Sequence, residues 1–204
     1  MKFYELATLS IRMGTLPTVI EGAAAFSADG AGKLMGIWNV DVGAVNRVLV
    51  LRGFEDANAL VDERRRTQEN ADPFGCAAAL ERLSFESFES FPFMAPVAPG
   101  EYGSLYEFRV YPFKLAGGYP ETVAKWQVAL PEREKFSKCL FAMRALDGEP
   151  RFLNIWPYAD FDARAKARRE SVASGNWPPK GGPDWLRPDM QATLAIPTVN
   201  SPLR

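Results

Sequence analysis

The chain contains an internal repeat, and this repeat constrains the fold more than any other feature of its 204 residues. The segment FYEL at 3–6 returns as LYEF at 105–108, and further equivalent pairs follow at a slowly increasing spacing. These pairs are Tyr4 with Tyr106, Pro17 with Pro120, Arg47 with Arg151, Phe54 with Tyr158, Asp56 with Asp160, and Pro92 with Pro197. The spacing grows from 102 to 105 residues, as single insertions leave it in a diverged duplication. A repeat of this kind predicts two similar structural units.

The repeat divides the chain into two predicted domains, 1–98 and 104–204. The segment 92–103 joins them and is rich in proline and glycine, as linkers are. Each domain has about 100 residues, which is enough to bury a core of its own.

Alternating apolar residues, turn signals and helix caps predict the same order of elements in each half. In the first half we predict strands at 3–12, 34–41, 45–52 and 84–91, a helix from Pro17 to about Phe26, and a helix after the N-cap Asp56. In the second half we predict strands at 105–113, 139–145, 151–156 and 190–196, with helices from Pro120 to about Leu130 and from Asp160. The order β-α-β-β-α-β is that of a ferredoxin-like unit, an antiparallel sheet with two helices on one face.

Helices cover only one face of such a sheet, so the other face needs a partner. We predict an α+β fold in which the two tandem ferredoxin-like units pack sheet to sheet as a pseudo-symmetric α+β barrel. The halves differ most at 175–185, which is rich in proline and contains two tryptophans, whereas the equivalent residues 77–83 look helical. We expect one of these segments to cover a site that the other half lacks.

The absence of histidine excludes several kinds of active site. Imidazole is the usual base and metal ligand near neutral pH, so Ser-His-Asp and Cys-His catalysis, histidine ligation of haem and most zinc sites are ruled out. Cys76 and Cys139 are isolated, which favours reduced thiols over a disulfide. We expect no metal and no cofactor.

The charges nearly balance, with 24 basic and 25 acidic residues and a formal net charge of −1. This balance provides no overall field for nucleic acid or an anionic membrane, so we predict no nucleic-acid partner. The sequence has no run of about 18 apolar residues that could span a bilayer. Its first residues also lack the pattern of a secretory signal. We therefore expect no membrane span and a cytoplasmic location.

Several short motifs resemble those of the NIPSNAP family. They are YEFRVY at 106–111, GTLP at 14–17, GIW at 36–38, VNRV at 45–48 and FED at 54–56. The family belongs to the dimeric α+β barrel superfamily, so the resemblance implies that fold for both halves. Two positions depart from the family pattern, because Ala7 stands where an arginine is common and Val50 where a histidine often occurs. The resemblance implies no reaction, since most bacterial members have none assigned and the animal members are linked to mitochondria and vesicle trafficking.

Candidate site residues lie on the strands. Along the strand 105–111 side chains alternate between two faces, and we expect Glu107, Arg109 and Tyr111 to point into the barrel. They would form either a structural ion pair or a clamp for an anion. The same candidate pocket includes Glu5 as the repeat equivalent of Glu107, Arg144 as a further partner, and Trp38 and Trp156 as flat walls or as ordinary core residues.

The run Arg64, Arg65 and Arg66 closes the predicted second helix of the first half. Three successive side chains spread around a helix and cannot all hold one phosphate group. The helix begins acidic and ends basic, which complements its dipole, and Asp62 with Arg66 forms an i,i+4 pair. We interpret the run as a solvated helix end, with Glu63 as another surface charge.

Two functions remain open at this stage. The first is a NIPSNAP-like protein of unassigned activity that binds a small apolar or anionic molecule, or a protein partner, through the barrel. Further sheet or helix contacts could join it into a homo-oligomer. The alternative is a cofactor-independent oxygenase, isomerase or lyase that acts on an aromatic or polyketide-like substrate held in the barrel. A haem-degrading version is disfavoured because histidine is missing.

Overall fold

Both halves of the chain form the same succession of strands and helices. The computed structural model describes residues 1–204, apart from the side chain of Pro183. The first half contains the strands β1 (Phe3–Ile11), β2 (Lys33–Val42), β3 (Arg47–Phe54) and β4 (Leu80–Ser90) and the helices α1 (Leu16–Ala28) and α2 (Ala57–Glu69). The second half contains β5 (Leu105–Pro112), β6 (Phe141–Ala145), β7 (Arg151–Tyr158) and β8 (Gln191–Pro197), with α3 (Gly118–Arg133), α4 (Phe161–Ala173) and the short α5 (Gly182–Trp185). The predicted β-α-β-β-α-β order therefore occurs twice.

An aspartate begins the second helix of each half. The Oδ1 atom of Asp56 accepts hydrogen bonds from the amides of Asn58 and Ala59, both at 2.9 Å. Asp160 accepts one from the amide of Ala163 at 2.7 Å. These side chains satisfy amide groups that have no partner within the helix. Both predicted caps are confirmed.

The eight strands close into one antiparallel barrel in the order β1-β3-β2-β8-β5-β7-β6-β4. Each half contributes four neighbouring strands, and the halves join where β2 pairs with β8 and where β4 pairs with β6. Closure of the ring pairs both edges of each four-stranded sheet. The predicted pseudo-symmetric α+β barrel is confirmed.

Aromatic side chains from both halves fill the middle of the barrel. Trp38 of β2 is fully buried and packs against Tyr106 and Phe108 of β5, with ring centroids 5.3 and 5.2 Å apart. A side chain at Gly36 would overlap the indole of Trp38, so glycine leaves the room that this ring needs. The centre of the barrel is therefore a packed core.

The two faces of β5 are the reverse of what the sequence led us to expect. Tyr106 and Phe108 point into the barrel, whereas Glu107, Arg109 and Tyr111 point outward and contact residues of α3 or α4 or lie beside them. The prediction that these three side chains point into the barrel is wrong. Strands shield the barrel interior from water all round, so apolar residues occupy it. Long arginine side chains beneath a helix can instead extend toward the surface.

The helices form two outer layers over the barrel. An apolar cluster lies between the first sheet and α1, and a second, richer in aromatic residues, lies between the second sheet, α3 and α4. Among the helices that the structure describes, none is both long and apolar enough to cross a membrane.

Two local predictions need correction. Residues 77–83 are not one helix, because Ala77–Ala79 form a single 3₁₀ turn and β4 begins at Leu80. The proline-rich residues 175–185 are not entirely a loop, because they include α5. The two halves therefore differ in structure at this point.

Candidate functional site

A buried ion cluster joins α2 to the first sheet. Arg52 of β3 has no exposed surface and donates hydrogen bonds to Glu5 of β1 and, at 2.6 Å, to Glu63 of α2. The Nε atom of Arg64 donates to Glu5 at 2.8 Å, and Arg66 donates to both oxygens of Glu63. Buried charges are tolerated when they are paired in this way.

The arginine run is therefore not a solvated helix end, and that interpretation is wrong for Arg64 and Arg66. Arg65 is exposed and pairs with Asp62 at 2.8 Å, so the interpretation holds for this residue alone of the three. Arg66 pairs with Glu63 instead of Asp62, and Glu63 is buried instead of lying on the surface. The spread of three successive side chains around the helix brings Arg64 to Glu5 of the sheet and Arg66 to Glu63 and α1, and turns Arg65 away.

Glu107, the repeat equivalent of Glu5, forms the corresponding cluster in the second half. It is fully buried and accepts hydrogen bonds from Arg109 at 2.5 Å and from Arg164 at 2.6 Å, while Arg168 lies 3.6 Å away. Burial alone would raise the pKa of Glu107. The hydrogen bond from Arg164 and the charges of the three arginines outweigh burial, so the pKa lies below its usual value. The carboxylate stays charged at neutral pH.

The second cluster carries more positive charge than the first. Trp156 occupies the position equivalent to Arg52, and Ala167 the position equivalent to Glu63. In the part of the chain that the structure describes, Glu107 is then the one carboxylate in contact with the arginines between α4 and the sheet. The layer between helices and sheet holds four guanidinium groups, those of Arg109, Arg133, Arg164 and Arg168.

Arg133, at the end of α3, is the least compensated of these arginines. Only 3% of it is exposed, yet among the described residues no carboxylate lies within 4.0 Å of its guanidinium group. It donates to the hydroxyls of Ser137 at 2.7 Å and Tyr158 at 3.3 Å. Its guanidinium carbon lies 4.4 Å from the centre of the Trp156 ring and 5.9 Å from that of Trp177. Aromatic faces and hydroxyls thus replace the expected counter-ion.

A cavity of about 780 Å³ lies between α3, α4 and the outer face of β5, beneath the segment 177–190. Four aromatic side chains line this helix–sheet cavity, and the rings of Trp126 and Trp177 lie 4.9 Å apart. Six cationic side chains line it, and none of the lining residues that the structure describes is acidic. The six are Arg109, Lys114, Arg133, Arg168, Lys180 and Arg187.

The corresponding space in the first half is filled. Phe74 follows α2 and is fully buried, 5.0 Å from the guanidinium carbon of Arg52 and 5.2 Å from the ring of Phe26. A side chain at Gly22 of α1 would overlap the carbonyl of Phe74, so α1 packs closely on this turn. The paired arginine and the phenylalanine close the first half where the second half is open.

The structure brings together four of the seven side chains in the predicted pocket. Arg109 and Tyr111 line the helix–sheet cavity, Glu107 lies beneath Arg109, and Trp156 lies beneath Arg133. The other three lie elsewhere. Glu5 belongs to the first-half cluster, Trp38 lies in the barrel core, and Arg144 pairs with Glu89 at 2.7 Å from its Nε atom.

Sequence reasoning missed other residues that form the cavity, chiefly Trp126, Arg133 and Arg168. One signal in the sequence could have indicated the cavity. The repeat keeps an arginine at 64 and 168 but exchanges Glu63 for Ala167, so the second helix loses an acid and keeps its base. The divergence at 175–185 pointed to the same place, since Trp177 and Trp185 line the cavity.

The closed barrel of two ferredoxin-like halves, with helices outside, is the architecture of the dimeric α+β barrel proteins united in one chain. A family model described as NIPSNAP matches residues 4–97 and 106–202. The chain therefore belongs to the NIPSNAP family, and the match falls on two tandem segments. No curated protein matches the sequence.

Solved structures with the same fold span nearly the whole chain. A provisionally assigned monooxygenase from Lactobacillus acidophilus NCFM has a TM-score of 0.62 at 11% identity, with 97% of this chain and 94% of that chain covered. Another from Fusobacterium nucleatum subsp. nucleatum ATCC 25586 has a TM-score of 0.68 at 8% identity, covering 96% and 91%. An anthrone oxidase-like protein has a TM-score of 0.64 at 10% identity, covering 97% and 91%. At these identities the likeness establishes the fold.

Substitution of Glu107 by glutamine tests the buried cluster of the second half. We expect Glu107→Gln to lower the free energy of unfolding at pH 7 by about 3–5 kcal/mol, because it leaves buried guanidinium groups without their carboxylate. The folded-state pKa lies below the unfolded value of about 4.3, so this stabilisation is present above that pH and is lost as the pH falls through the folded pKa.

Urea unfolding of both proteins between pH 3 and 7 measures this difference. Glu132→Gln is the control, since Glu132 pairs with Lys135 on the surface and its loss should cost less than about 1 kcal/mol. Equal stability of Glu107→Gln and wild type at pH 7 would contradict the assignment of a charged, paired carboxylate.

Proposed function

We propose that this protein binds an anionic small molecule with a flat apolar body in the helix–sheet cavity. The observation that carries the proposal is Arg133, a buried guanidinium group that has aromatic neighbours and no carboxylate within 4.0 Å among the described residues. The protein otherwise pairs its deeply buried arginine, as Arg52 shows with two glutamates.

A bound anion would supply the counter-charge that the cavity lacks. A buried guanidinium group without an anionic partner costs free energy, and an anion that enters the cavity would recover part of that cost. The planar fork of arginine matches the geometry of carboxylate, sulfate and phosphate groups. Arg168 and Arg109 line the same cavity, so more than one guanidinium group is available to the anion.

The aromatic walls favour a flat apolar body on the same ligand. Tyr111, Trp126, Trp177 and Trp185 line the cavity, and the Nε1 atom of Trp185 is buried without a hydrogen-bond partner in the described part of the structure. A volume of about 780 Å³ lies within the range of roughly 300–1,000 Å³ typical of small-molecule sites. A fused aromatic acid meets these conditions of size, flatness and charge.

The cavity lies outside the barrel, whereas the sequence led us to look inside it. The barrel centre is packed by Trp38, Tyr106 and Phe108, which favours the helix–sheet cavity for a ligand of this size. The helix–sheet cavity occurs in the second half because Arg52 and Phe74 fill the equivalent space in the first half.

A cofactor-independent oxidation in the same cavity is the second candidate. The Nε atom of Arg109 donates to the hydroxyl oxygen of Tyr111 at 2.5 Å, which leaves the Tyr111 hydroxyl hydrogen free for a ligand oxygen. Structures of the same fold include proteins described as monooxygenases and as anthrone oxidase-like. The enolate of an anthrone is itself a flat anion, which the arginines could stabilise.

Oxygen uptake in the presence of anthrone tests this candidate. Dioxygen would convert the methylene group of anthrone to a carbonyl, with its second oxygen atom leaving as water. We expect uptake faster than in buffer and a rate reduced at least about tenfold in Tyr111→Phe, as for loss of a general acid. Uptake at the buffer rate excludes this oxidation and leaves the binding proposal standing.

Titration with naphthalene-2-carboxylate tests the binding proposal. We expect it to bind at least about tenfold more tightly than 2-naphthalenemethanol, because a hydrogen bond to a charged group contributes about 1.5–3 kcal/mol. Quenching of tryptophan fluorescence and isothermal titration calorimetry both measure the affinity. Arg133→Met and Arg168→Gln should each remove most of the preference for the acid.

The control is Arg12→Gln, which alters an exposed arginine of the first half that pairs with Glu81 at 3.7 Å. Arg168 is partly exposed, so its variant should remain folded even if Arg133→Met does not. Equal affinity for acid and alcohol, or equal affinity in wild type and Arg168→Gln, would contradict the proposal.

A further inference from the structure

A second cavity, of about 300 Å³, opens at one end of the barrel. Its lining comes from strand residues whose side chains point into the barrel and from the loops at that end. Apolar residues form its floor, namely Leu6, Val40, Leu49, Phe108, Val110 and Leu153. Polar and charged residues form its rim, among them Thr8, Arg47, Glu86, Arg151, Gln191 and Thr193. This barrel-mouth cavity is separate from the helix–sheet cavity and lies on the other side of the sheet.

Two equivalent arginines reach the barrel mouth from opposite sides. Arg47 begins β3 and Arg151 begins β7, and these strands lie across the ring from each other. Arg151 is paired, with Glu86 at 2.6 Å and Asp147 at 3.7 Å. Asp147 of the same half and Glu86 on β4 of the other half thus neutralise the charge of Arg151.

Arg47 has neither of these partners. The repeat places Gln191 where Arg47 would meet the equivalent of Glu86, and Gly43 where it would meet the equivalent of Asp147. Among the described residues, no carboxylate lies within 4.0 Å of the Arg47 guanidinium group. The first half thus has the arginine but meets neutral residues at both of the acidic positions.

Each of the three carboxylates that line the barrel mouth contacts an arginine other than Arg47. Glu86 pairs with Arg151, and both Glu149 and Asp189 pair with Arg187, the latter at 2.6 Å. Arg47 is therefore the charge at this rim that still lacks a partner within the described residues. Besides these paired carboxylates, the lining of the cavity combines apolar floor residues with the hydroxyl and amide groups of Thr8, Thr193 and Gln191.

We propose that the barrel mouth binds a small monocarboxylate, with its carboxylate on Arg47 and its apolar body on the floor of the cavity. Gln191, Thr8 and Thr193 line the same rim and can donate hydrogen bonds to the second carboxylate oxygen. A cavity of about 300 Å³ lies at the lower limit for small-molecule sites, which favours an acid with one ring or a short branched chain. This site does not depend on the function proposed for the helix–sheet cavity.

Benzoate is a suitable probe, with benzyl alcohol as its neutral counterpart. NMR titration of the ¹⁵N-labelled protein measures the affinity and also shows which amides shift. We expect benzoate to bind at least about tenfold more tightly than the alcohol, with shifts at the start of β3 and in β8. Arg47→Gln should weaken benzoate binding by at least about tenfold and leave binding of the alcohol unchanged.

Gln191→Glu is the decisive variant, because it rebuilds in the first half the ion pair that Arg151 makes with Glu86. Glutamate fits the equivalent position, so we expect a folded protein in which Arg47 is occupied and benzoate binding is weakened at least about tenfold. Gln191→Met is its matched control, since it removes the amide without adding charge, and should weaken benzoate binding less than Gln191→Glu does.

Arg168→Gln distinguishes the two cavities. We expect it to leave the benzoate shifts in β3 and β8 unchanged. Benzoate binding that Arg168→Gln weakens and Gln191→Glu does not would place the acid in the helix–sheet cavity and overturn the proposal. Equal affinity for benzoate and benzyl alcohol, or no shifts at the barrel mouth, would overturn it as well.

Discussion

The fold depends on a carboxylate that is buried on the first strand of each half. Glu5 and Glu107 have no exposed surface, and each binds at least one arginine of the helix that packs above it. These charges hold the second helix to its sheet with fixed geometry, because a buried carboxylate is tolerated only with partners in place. Arg64 of α2 and Arg164 of α4, which look like surface residues in the sequence, are part of this attachment.

The two halves meet the same requirement in different ways, and the difference has consequences for ligands. The first half adds Arg52 and Glu63, which neutralise each other and leave no room beneath α2. The second half replaces them by Trp156 and Ala167, which removes both charges and one side chain's bulk. Arg133 of α3 then faces aromatic rings instead of a carboxylate, whereas Arg164 and Arg168 of α4 share Glu107. The space between helices and sheet is thus filled in the first half and open in the second.

The sequence predicted the architecture well because the repeat, the capping aspartates and the alternating strands all depend on local pattern. The sequence did not predict which way the side chains of β5 point. Alternation separates Tyr106 from Glu107, but it does not say which face meets the helices and which meets the other sheet. Charged residues are usually expected where water can reach, yet here Glu107 lies buried beneath the helices, where arginines pair with it. The cavity was not predictable, because the isolation of Arg133 depends on distances between residues far apart in the chain.

The most direct test of this account is a crystal structure of the protein grown with 6-bromonaphthalene-2-carboxylate, with the bromine located by its anomalous scattering. We expect one strong peak between α3 and α4, the naphthalene ring against Trp126 and Trp177, and the carboxylate beside Arg133 or Arg168. An anomalous peak beneath α2 in the first half, or no ordered ligand in the helix–sheet cavity at saturating concentration, would contradict the central claim.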